Sequence, residues 1–541
     1  MTATASSDRP GRSNAQTGMG GAIILGLLTL ALYTRTLAPD VLYSDSAEFQ
    51  TLAYTLGTTH CTGYPVYLLL ARLVGLLPFH TPAWRISLFS ALGAAVAVAG
   101  TYLAIHRLTT SRIGAVLGSA ALALSYTFWS QAVIAEVYTP AAACYIVCIL
   151  LLWDWEAGGV QRRAALFLTT LLMGLGLGIH ASVGLLIPVA AAFIVLNLWQ
   201  RSGSSRDRRQ TIGIAAGGGL LGVMIFILAF VLIDRHDPAS SFINVAVIPS
   251  RSIWDLSAQE LARPDVRLWV TVTGLQWRDA IFSGGIAAMI EALGRYGARL
   301  FTTEFSPLTL LCATVGFPLA VKAHKKRGWF LLGAFSVSLI IVANYHPGDW
   351  HVFYLPTHVL IAVGAGVGIA HGATWWRSRA WPQQPHLHLS IGVILLIGAI
   401  AGILGPFLPT RIDALRTGIT SFSRETYVFP VEDPAEPRKV ATAILESIPD
   451  GAVLVLDWRA LYSVAYVAYV EGLRPHISLL EAAPHGSDGR VAASLLQTID
   501  EALAAGRPVF VDTARDQYRL RYQLSPVSES TLHQLALEPT Q

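Results

Sequence analysis

The chain has 541 residues, of which 53% are hydrophobic and only 13% are charged, and its mean hydropathy is +0.52. Soluble domains carry roughly 25% charged residues, so the composition excludes a single soluble globular domain. The abundance of apolar residues likewise excludes a disordered chain, and four cysteines are too few for a disulfide-rich secreted scaffold. The composition therefore indicates a polytopic membrane protein with one soluble appendage.

Eleven apolar stretches are long enough to cross a bilayer, which takes about 20 residues each. The predicted spans are 20–37, 84–105, 113–130, 137–153, 164–180, 181–199, 211–233, 306–321, 328–344, 352–372 and 388–409. A further apolar segment, 64–79, is short and carries Arg72 and Pro78, so we expect an amphipathic helix at the interface. The predicted fold is thus a polytopic α-helical membrane protein with about 11 transmembrane helices.

The balance of charge predicts both the domain boundary and the orientation. Residues 412–541 carry 17 acidic and 11 basic side chains, whereas residues 1–411 carry 17 acidic and 27 basic ones. We therefore predict a cytoplasmic tail over 1–19, a transmembrane domain over 20–411 and a separate domain over 412–541. Short basic loops such as those with Arg162 and Lys325 fall on one side, which the positive-inside rule assigns to the cytoplasm. Eleven spans then place the C-terminal domain outside.

The first outer loop carries two carboxylates, Asp45 and Glu48, at the start of a predicted helix over 47–56. Their spacing fits a capping box with Asp45 as the N-cap, which would explain both residues without any chemistry. The functional alternative is that the Asp45 carboxylate faces a site at the outer leaflet. There it would accept a proton from an incoming hydroxyl.

Other polar residues fall on the same outer side of the predicted bundle. Tyr64 and Tyr67 follow a Gly-Pro turn, and they fit either a lipid headgroup site or an aromatic belt. Glu136 sits in an apolar neighbourhood, where a charged group is costly and usually functional. His180 ends a span after closely spaced glycines, and a lone histidine at a span end is more often a structural residue than a functional one. Asp349 lies between two histidines, but this spacing is unspecific and we predict no metal site.

Six of these motifs, taken in order over about residues 20–370, resemble the protein O-mannosyltransferase-like membrane family of the GT-C glycosyltransferase superfamily. They are Asp45-Ser-Ala-Glu-Phe, Gly63-Tyr-Pro-Val-Tyr, Ala83-Trp-Arg, the run from Phe128 to Tyr138, the glycine-rich turn ending at His180, and Phe353-Tyr-Leu-Pro356. The sequence departs from the family at Ala47, where glycine is usual, and at Ile179, where asparagine is usual.

The resemblance implies a GT-C-like catalytic domain over 20–411 and a sugar donor carried on a polyprenyl or dolichyl phosphate, with no other cofactor. It implies that Asp45 is the catalytic base. Other candidate positions for substrate binding are Glu48, Tyr64, Tyr67, Glu136, His180, Asp349 and Tyr354. The implied reaction transfers mannose or a similar hexose to a hydroxyl of a protein Ser/Thr or a glycan acceptor, on the outer face of a bacterial plasma membrane.

The segment 234–305 mixes arginines with tryptophans. Its residues fit either a solvated interfacial face or a site where one arginine pairs with the donor phosphate, which suits guanidinium geometry. In the C-terminal domain, apolar runs at 452–456, 476–480 and 508–512 alternate with helical patterns at 437–447, 460–471 and 491–505. This alternation predicts an extracytoplasmic accessory domain with a parallel α/β sheet.

Two other classes of function compete with a transferase. A lipid or solute transporter would show internal repeats and charges at the bilayer midplane, whereas the carboxylates here lie in outer loops. A catalytically inactive receptor or scaffold would not need to keep Asp45. No nucleic-acid partner is expected, because the basic loops are explained by membrane topology; the expected partners are the lipid-linked sugar, the acceptor and membrane lipids.

Overall fold

The computed structural model describes residues 10–158, 161–200, 204–379, 385–417, 433–484, 487, 489–528 and 530–537. Residues 1–9 of the predicted cytoplasmic tail and residues 418–432 of the predicted C-terminal domain therefore lie outside the described residues.

The first two thirds of the chain are helical. The helices before residue 240 are α1 (Pro10–Arg35), α2 (Ser44–Thr55), α3 (Pro65–Gly75), α4 (Pro82–Thr109), α5 (Arg112–Leu124), α6 (Tyr126–Ala132), α7 (Tyr138–Ala157), α8 (Arg162–Gly176), α9 (Ile187–Gln200) and α10 (Ser205–His236). Those that follow are α11 (Ala258–Leu261), α12 (Pro264–Val272), α13 (Gly285–Arg299), α14 (Pro307–Ala323), α15 (Lys325–Ala343), α16 (Leu355–Ser378), α17 (Pro385–Leu404) and α18 (Leu408–Thr417).

Every predicted span coincides with helix, but the number eleven is not confirmed. Within the described ranges, eight helices are long and apolar enough to cross a membrane, or nine if α5 and α6, which meet at 68°, form one span. The predicted spans 164–180 and 306–321 correspond to α8 and α14, which have only 15 and 17 residues. Helix α8 falls short because the chain leaves the α conformation after Gly176, well before His180.

Small residues let the membrane helices approach closely. A Cβ atom added at Gly174 in α8 would lie 2.7 Å from the carbonyl oxygen of Gly219 in α10. One added at Gly316 in α14 would lie 1.8 Å from the carbonyl oxygen of Gly364 in α16. Neither position can hold a larger side chain without moving the backbone, which is the usual role of small residues where membrane helices pack.

The two ends of helix α4 differ in their surroundings. Near its last turn, Arg107 pairs with Asp154 at 2.9 Å, and the side chain of His324 lies 2.9 Å from the carbonyl oxygen of Leu108. This end therefore gathers the short basic loops that the sequence assigns to the cytoplasm. The first turn lies about 40 Å away at 1.5 Å per residue, and there the backbone N–H of Ala83 donates to the Tyr466 hydroxyl of the C-terminal domain at 3.2 Å.

Helix α3, predicted as an interfacial helix, packs one face on the bundle through Tyr67, Leu68 and Ala71 and leaves Leu70 and Leu73 exposed. An apolar face left open in this way is compatible with contact to lipid, so its interfacial position stays a prediction.

The C-terminal domain contains a mixed five-stranded sheet with helices between its strands. Its elements are α19 (Glu436–Glu446), β1 (Val453–Leu456), α20 (Trp458–Ala465), β2 (Ser478–Glu481), α21 (Ala493–Ala504), β3 (Val509–Val511), α22 (Asp516–Arg519), β4 (Tyr522–Pro526) and β5 (His533–Leu537). The strand order is β2-β1-β3-β5-β4. Strands β2, β1 and β3 are parallel, as predicted, with Val453 opposite both Ser478 and Val509. Strands β5 and β4 add an antiparallel pair that the sequence analysis missed.

Candidate functional site

Asp45 lies at the start of α2, at the end of the helical bundle that the C-terminal domain covers. The helix has no side-chain N-cap, and Ser44 adopts a φ angle of 56°. A non-glycine residue in this left-handed region costs about 1–3 kcal/mol, and such residues cluster at functional sites. The predicted capping box is wrong, because the Glu48 carboxylate bonds to a different loop rather than to the start of its own helix.

The two oxygens of the Asp45 carboxylate have different environments. The Oδ1 atom accepts hydrogen bonds from the Ser44 hydroxyl at 2.9 Å and from the indole Nε1 of Trp458 at 2.8 Å. Among the described residues, no donor bonds to the Oδ2 atom. One oxygen is thus held in place while the other remains free to accept a proton.

Glu48 is fully buried one turn further along α2 and forms a pair with His60. Its Oε1 atom accepts the backbone N–H of His60 at 2.7 Å, and its Oε2 atom lies 2.5 Å from the ring Nδ1. Burial by itself would lower the pKa of His60, but the Glu48 carboxylate beside the ring raises it to about 10. We therefore treat His60 as an imidazolium whose second nitrogen, Nε2, has no partner within the described ranges.

Three more carboxyl groups surround this pair. Burial, and then the charge of Asp45, raises the pKa of Glu136 well above its usual value and that of Asp349 to about 6. Glu481, at the end of β2 in the C-terminal domain, is 3% exposed, and burial followed by the charge of Glu48 raises its pKa to about 8. The charge of His60 acts on all three groups in the opposite direction.

Aromatic rings form the side of the site next to Asp349. The His180 ring stacks on Tyr64 with centroids 5.9 Å apart and packs edge-on against Tyr138 at 4.9 Å. The hydroxyl of Tyr138 donates to Asp349 Oδ2 at 3.4 Å. His180 also has a structural role, because its Nδ1 accepts the backbone N–H of Ser182 at 3.2 Å. Burial, and then the charge of His60, lowers the pKa of His180 to about 3, so its ring is neutral.

The remaining two predicted tyrosines have different positions. Tyr67 is fully buried and packs against Phe49 at 5.0 Å, so it supports the α2 helix from behind. Tyr354 stacks on Tyr296 at 3.8 Å in a separate buried cluster. The structure therefore brings Asp45, Glu48, Tyr64, Glu136, His180 and Asp349 into one site, with Tyr67 beneath it and Tyr354 elsewhere.

The arginines of segment 234–305 have partners outside this site. Arg251 donates to the carbonyl oxygen of Ile248 at 2.9 Å, and Arg299 pairs with Glu304 at 2.9 Å. Arg278 and Arg295 lie over the rings of Trp269 and Trp350. These contacts agree with the interfacial alternative, and an arginine that binds the donor phosphate stays a prediction.

Sequence reasoning missed three residues of the site. The sequence analysis did not single out His60, because only the structure shows that Glu48 is buried and that its partner cation is this histidine. Trp458 and Glu481 lie more than 400 residues from Asp45 in the chain. No local pattern connects them to it.

Metal-ligating side chains do not converge in the described part of the chain, where no group of three or more His, Cys, Asp or Glu residues is arranged to hold an ion. The two histidines that flank Asp349 in the sequence, His346 and His351, have other contacts. The backbone N–H of His346 donates to the carbonyl oxygen of Ala280 at 3.0 Å, and the His351 ring packs against Trp350. The absence of a metal requirement stays a prediction.

Comparison with known sequences gives two matches in the same region. Residues 45–203 match the family model described as the protein O-mannosyl-transferase TMEM260 N-terminal domain. Over 131 residues, the chain is 34% identical to the mouse protein O-mannosyl-transferase TMEM260. The matched stretch covers 24% of this chain and 18% of the mouse protein. The chain thus matches about a fifth of that relative's length, and the resemblance stated from the motifs is confirmed over that region.

Comparison with solved structures covers nearly the whole chain. The crystal structure of ArnT from Cupriavidus metallidurans bound to undecaprenyl phosphate superimposes with a TM-score of 0.58 over 95% of this chain and 98% of that one, at 12% identity. The apo form of the same protein gives a TM-score of 0.53 at 11% identity. At this identity the match shows the fold, so the GT-C-like membrane fold with a C-terminal α/β domain is confirmed.

Proposed function

We propose that the chain is an integral-membrane glycosyltransferase that moves a hexose, mannose or a similar sugar, from a polyprenyl-phosphate donor to a hydroxyl acceptor. We propose a protein Ser/Thr as the acceptor, with a glycan as the second choice. The family match at residues 45–203 supports the transferase activity, and the ArnT structure, which contains undecaprenyl phosphate, supports the donor class.

The single observation that carries this proposal is the Asp45 carboxylate. It is held through Oδ1 in a largely buried polar site, and Oδ2 has no donor among the described residues. A positioned carboxylate can take the proton of a hydroxyl as the hydroxyl attacks, and such general-base assistance typically contributes ~10²–10⁴-fold.

The reaction needs little else from the protein. The acceptor oxygen forms a bond to the anomeric carbon while Asp45 Oδ2 takes its proton. The bond between the anomeric carbon and the phosphate oxygen breaks, and the polyprenyl phosphate leaves with the electron pair. A single displacement of this kind inverts the configuration at the anomeric carbon, which can be checked in the product.

The donor phosphate gains negative charge as it leaves, so it needs a cation in a site rich in carboxyl groups. His60 supplies one, since Glu48 keeps its ring protonated and its Nε2 is unengaged. A charged N–H donor is the kind of group that stabilises a developing phosphate charge. The raised pKa of Glu136 also favours its neutral form. A neutral Glu136 repels the donor phosphate less than a carboxylate would, and it can donate a hydrogen bond to the sugar.

We further propose that the site and the domain 412–541 lie on the extracytoplasmic side, in a bacterial plasma membrane, with 20–411 as the catalytic domain. The support is the separation along α4 between the basic loops and the Asp45 end. Helix α18 runs across the proposed boundary and ends at Thr417.

The decisive experiment incubates the purified protein in nanodiscs with polyprenyl-phosphate sugars and a Ser/Thr-rich peptide, and follows donor consumption and peptide mass. We expect one hexose added per modified hydroxyl, with Asp45→Asn as the inactive control. No turnover with any donor, together with lipid scrambling or solute uptake in vesicles, would instead favour the transporter.

The orientation has its own test. Leu520 is 86% exposed in the C-terminal domain, and Ser205 is exposed at the start of α10, beside Arg206, Arg208 and Arg209. We expect Leu520→Cys to react with an impermeant maleimide in intact cells, and Ser205→Cys only after lysis. The reverse pattern would contradict the proposed side of the site.

A further inference from the structure

We propose that Trp458 of the C-terminal domain is a positioning residue for Asp45, so that the site is complete only with this domain docked. The inference rests on the proposed function, since it assigns the domain a part in the same reaction. It goes beyond an accessory or acceptor-recognition role for the domain.

Trp458 reaches Asp45 because of its place in the α/β sheet. It is the first residue of α20, one position after Asp457, which follows the carboxyl end of β1. This edge of a parallel sheet is where α/β domains usually present functional groups. The indole N–H lies 2.8 Å from Asp45 Oδ1 and 3.0 Å from the Ser44 hydroxyl.

Neighbouring rings hold the indole in this orientation. It packs edge-on against His60 at 6.0 Å, Phe242 at 5.9 Å and Tyr462 at 5.3 Å. His60 belongs to the loop after α2, and Phe242 to the segment after α10. The ring therefore touches two parts of the membrane domain as well as its own helix, and an edge-to-face arrangement of this kind is favourable for aromatic groups.

Independent contacts fix the domain against the first outer loop. Arg438 makes a bidentate pair with Asp40, with both N···O distances at 2.5 Å. The hydroxyl of Thr51 in α2 donates to the carbonyl oxygen of Tyr462 at 3.1 Å. The helix that carries the base is therefore bonded directly to the helix that carries Trp458.

The consequence for Asp45 is geometric. Two donors on Oδ1 set the plane of the carboxylate and leave Oδ2 for the acceptor hydroxyl. Trp is suited to this task, since its indole is a donor only and cannot take the proton itself.

The test is Trp458→Phe, which removes the N–H and keeps an aromatic ring. We expect kcat to fall by about tenfold or more, as for loss of a charge-assisted hydrogen bond, with the donor KM little changed. The matched control is Tyr466→Phe, which removes one docking hydrogen bond, to Ala83, without touching Asp45. Unchanged kcat in Trp458→Phe, a rise in donor KM in place of the fall in kcat, or equal effects in Tyr466→Phe would overturn the proposal.

A second measurement does not depend on turnover. We expect the thermal midpoints of Trp458→Phe and Tyr466→Phe to fall by similar small amounts, because each variant loses one hydrogen bond between the C-terminal domain and the rest of the chain. A much larger fall in Trp458→Phe, in step with its loss of kcat, would overturn the positioning role. Failure of the proposed function would appear separately, as wild-type protein without activity on any donor.

Discussion

Two buried glutamates show how the same residue type serves different purposes in this molecule. Glu48 and Glu304 are both fully buried beside a cation. Glu304 accepts from Arg299 at 2.9 Å and from the backbone N–H of Thr127 at 2.9 Å. Burial by itself would raise the pKa of Glu304, but the neighbouring His358, Arg299 and Thr127 hold it below its usual value.

The Glu48 cluster differs in the state of its carboxyl groups. The nearby Glu136, Asp349 and Glu481 have raised pKa values, and among the described residues the second ring nitrogen of His60 has no partner. A buried carboxylate held in its charged form by an arginine contributes to structure, whereas a buried cluster of carboxyl groups with raised pKa values is a candidate for chemistry. The comparison predicts that changes in the Asp45 and Glu48 cluster reduce activity, while changes around Glu304 reduce stability.

The largest effect on activity is expected from Asp45→Asn. This change keeps the size of the side chain and its contact with Trp458 but removes the proton acceptor. We expect kcat to fall by ~10²–10⁴-fold with donor binding and folding nearly unchanged, measured by initial rates and donor titration. Near-normal turnover in this variant would show that the base lies elsewhere in the cluster, with Glu136→Gln as the next variant to assay.

Glu304→Gln tests the other half of the comparison. It leaves Arg299 buried without its anionic partner, and breaking a buried pair from one side typically costs about 3–5 kcal/mol of the free energy of unfolding. We expect a large drop in the thermal midpoint while kcat per folded molecule stays close to wild type. A loss of kcat without a loss of stability would mean that the Glu304 cluster also takes part in the reaction.

His60→Gln should have an intermediate effect. Loss of a charged donor to the phosphate corresponds to about 1.5–3 kcal/mol, so we expect kcat/KM for the donor to fall by ~10–100-fold without a change in acceptor KM. His80→Gln is the matched control, because His80 stacks on Trp84 at 4.1 Å, outside the site. Equal effects of the two changes would contradict a specific role for His60.

The pH dependence follows from the Glu48–His60 pair. The pKa of His60 is raised to about 10, so the charge of His60 is present below that pH and is lost as the pH rises through it. The contribution of the raised His60 pKa to stability is accordingly complete below about pH 6.5, the ordinary histidine pKa, and declines as the pH rises through about 10. We expect donor kcat/KM to fall near pH 10 in wild type and at a lower pH in Glu48→Gln. If donor kcat/KM declined at the same alkaline pH in wild type and in Glu48→Gln, the coupling between Glu48 and His60 would be refuted.

The smallest effect is expected from Asp154→Asn, at the opposite end of the bundle. Asp154 is half exposed and pairs with Arg107 at 2.9 Å. Exposed ion pairs contribute about 0–1 kcal/mol, so activity and thermal midpoint should both remain near wild type. A strong loss of activity would indicate that the Asp154 end of the bundle is coupled to the Asp45 end, although the two ends are separated by the length of α4.

Much of the architecture could be read from the sequence because it depends on local patterns. Apolar length located the membrane helices, and alternating apolar runs located strands β1, β2 and β3. Helix ends were less predictable, as α8 illustrates: it ends at Gly176, which packs closely against Val183 and Cys144. The pair β4 and β5 was missed because its residues are mostly exposed and carry no apolar run.

The sequence by itself determined the membrane class, and it predicted the side on which the carboxylates gather and a catalytic role for Asp45 in the first loop. These follow from composition, from loop charge and from short motifs. Only the tertiary structure decided the role of Glu48. Its spacing from Asp45 favoured a capping box, but in the folded chain the buried Glu48 carboxylate pairs with His60 instead. Only the fold could bring Trp458 to Asp45, since a hydrogen bond across 413 residues depends on how two domains dock and not on any local pattern.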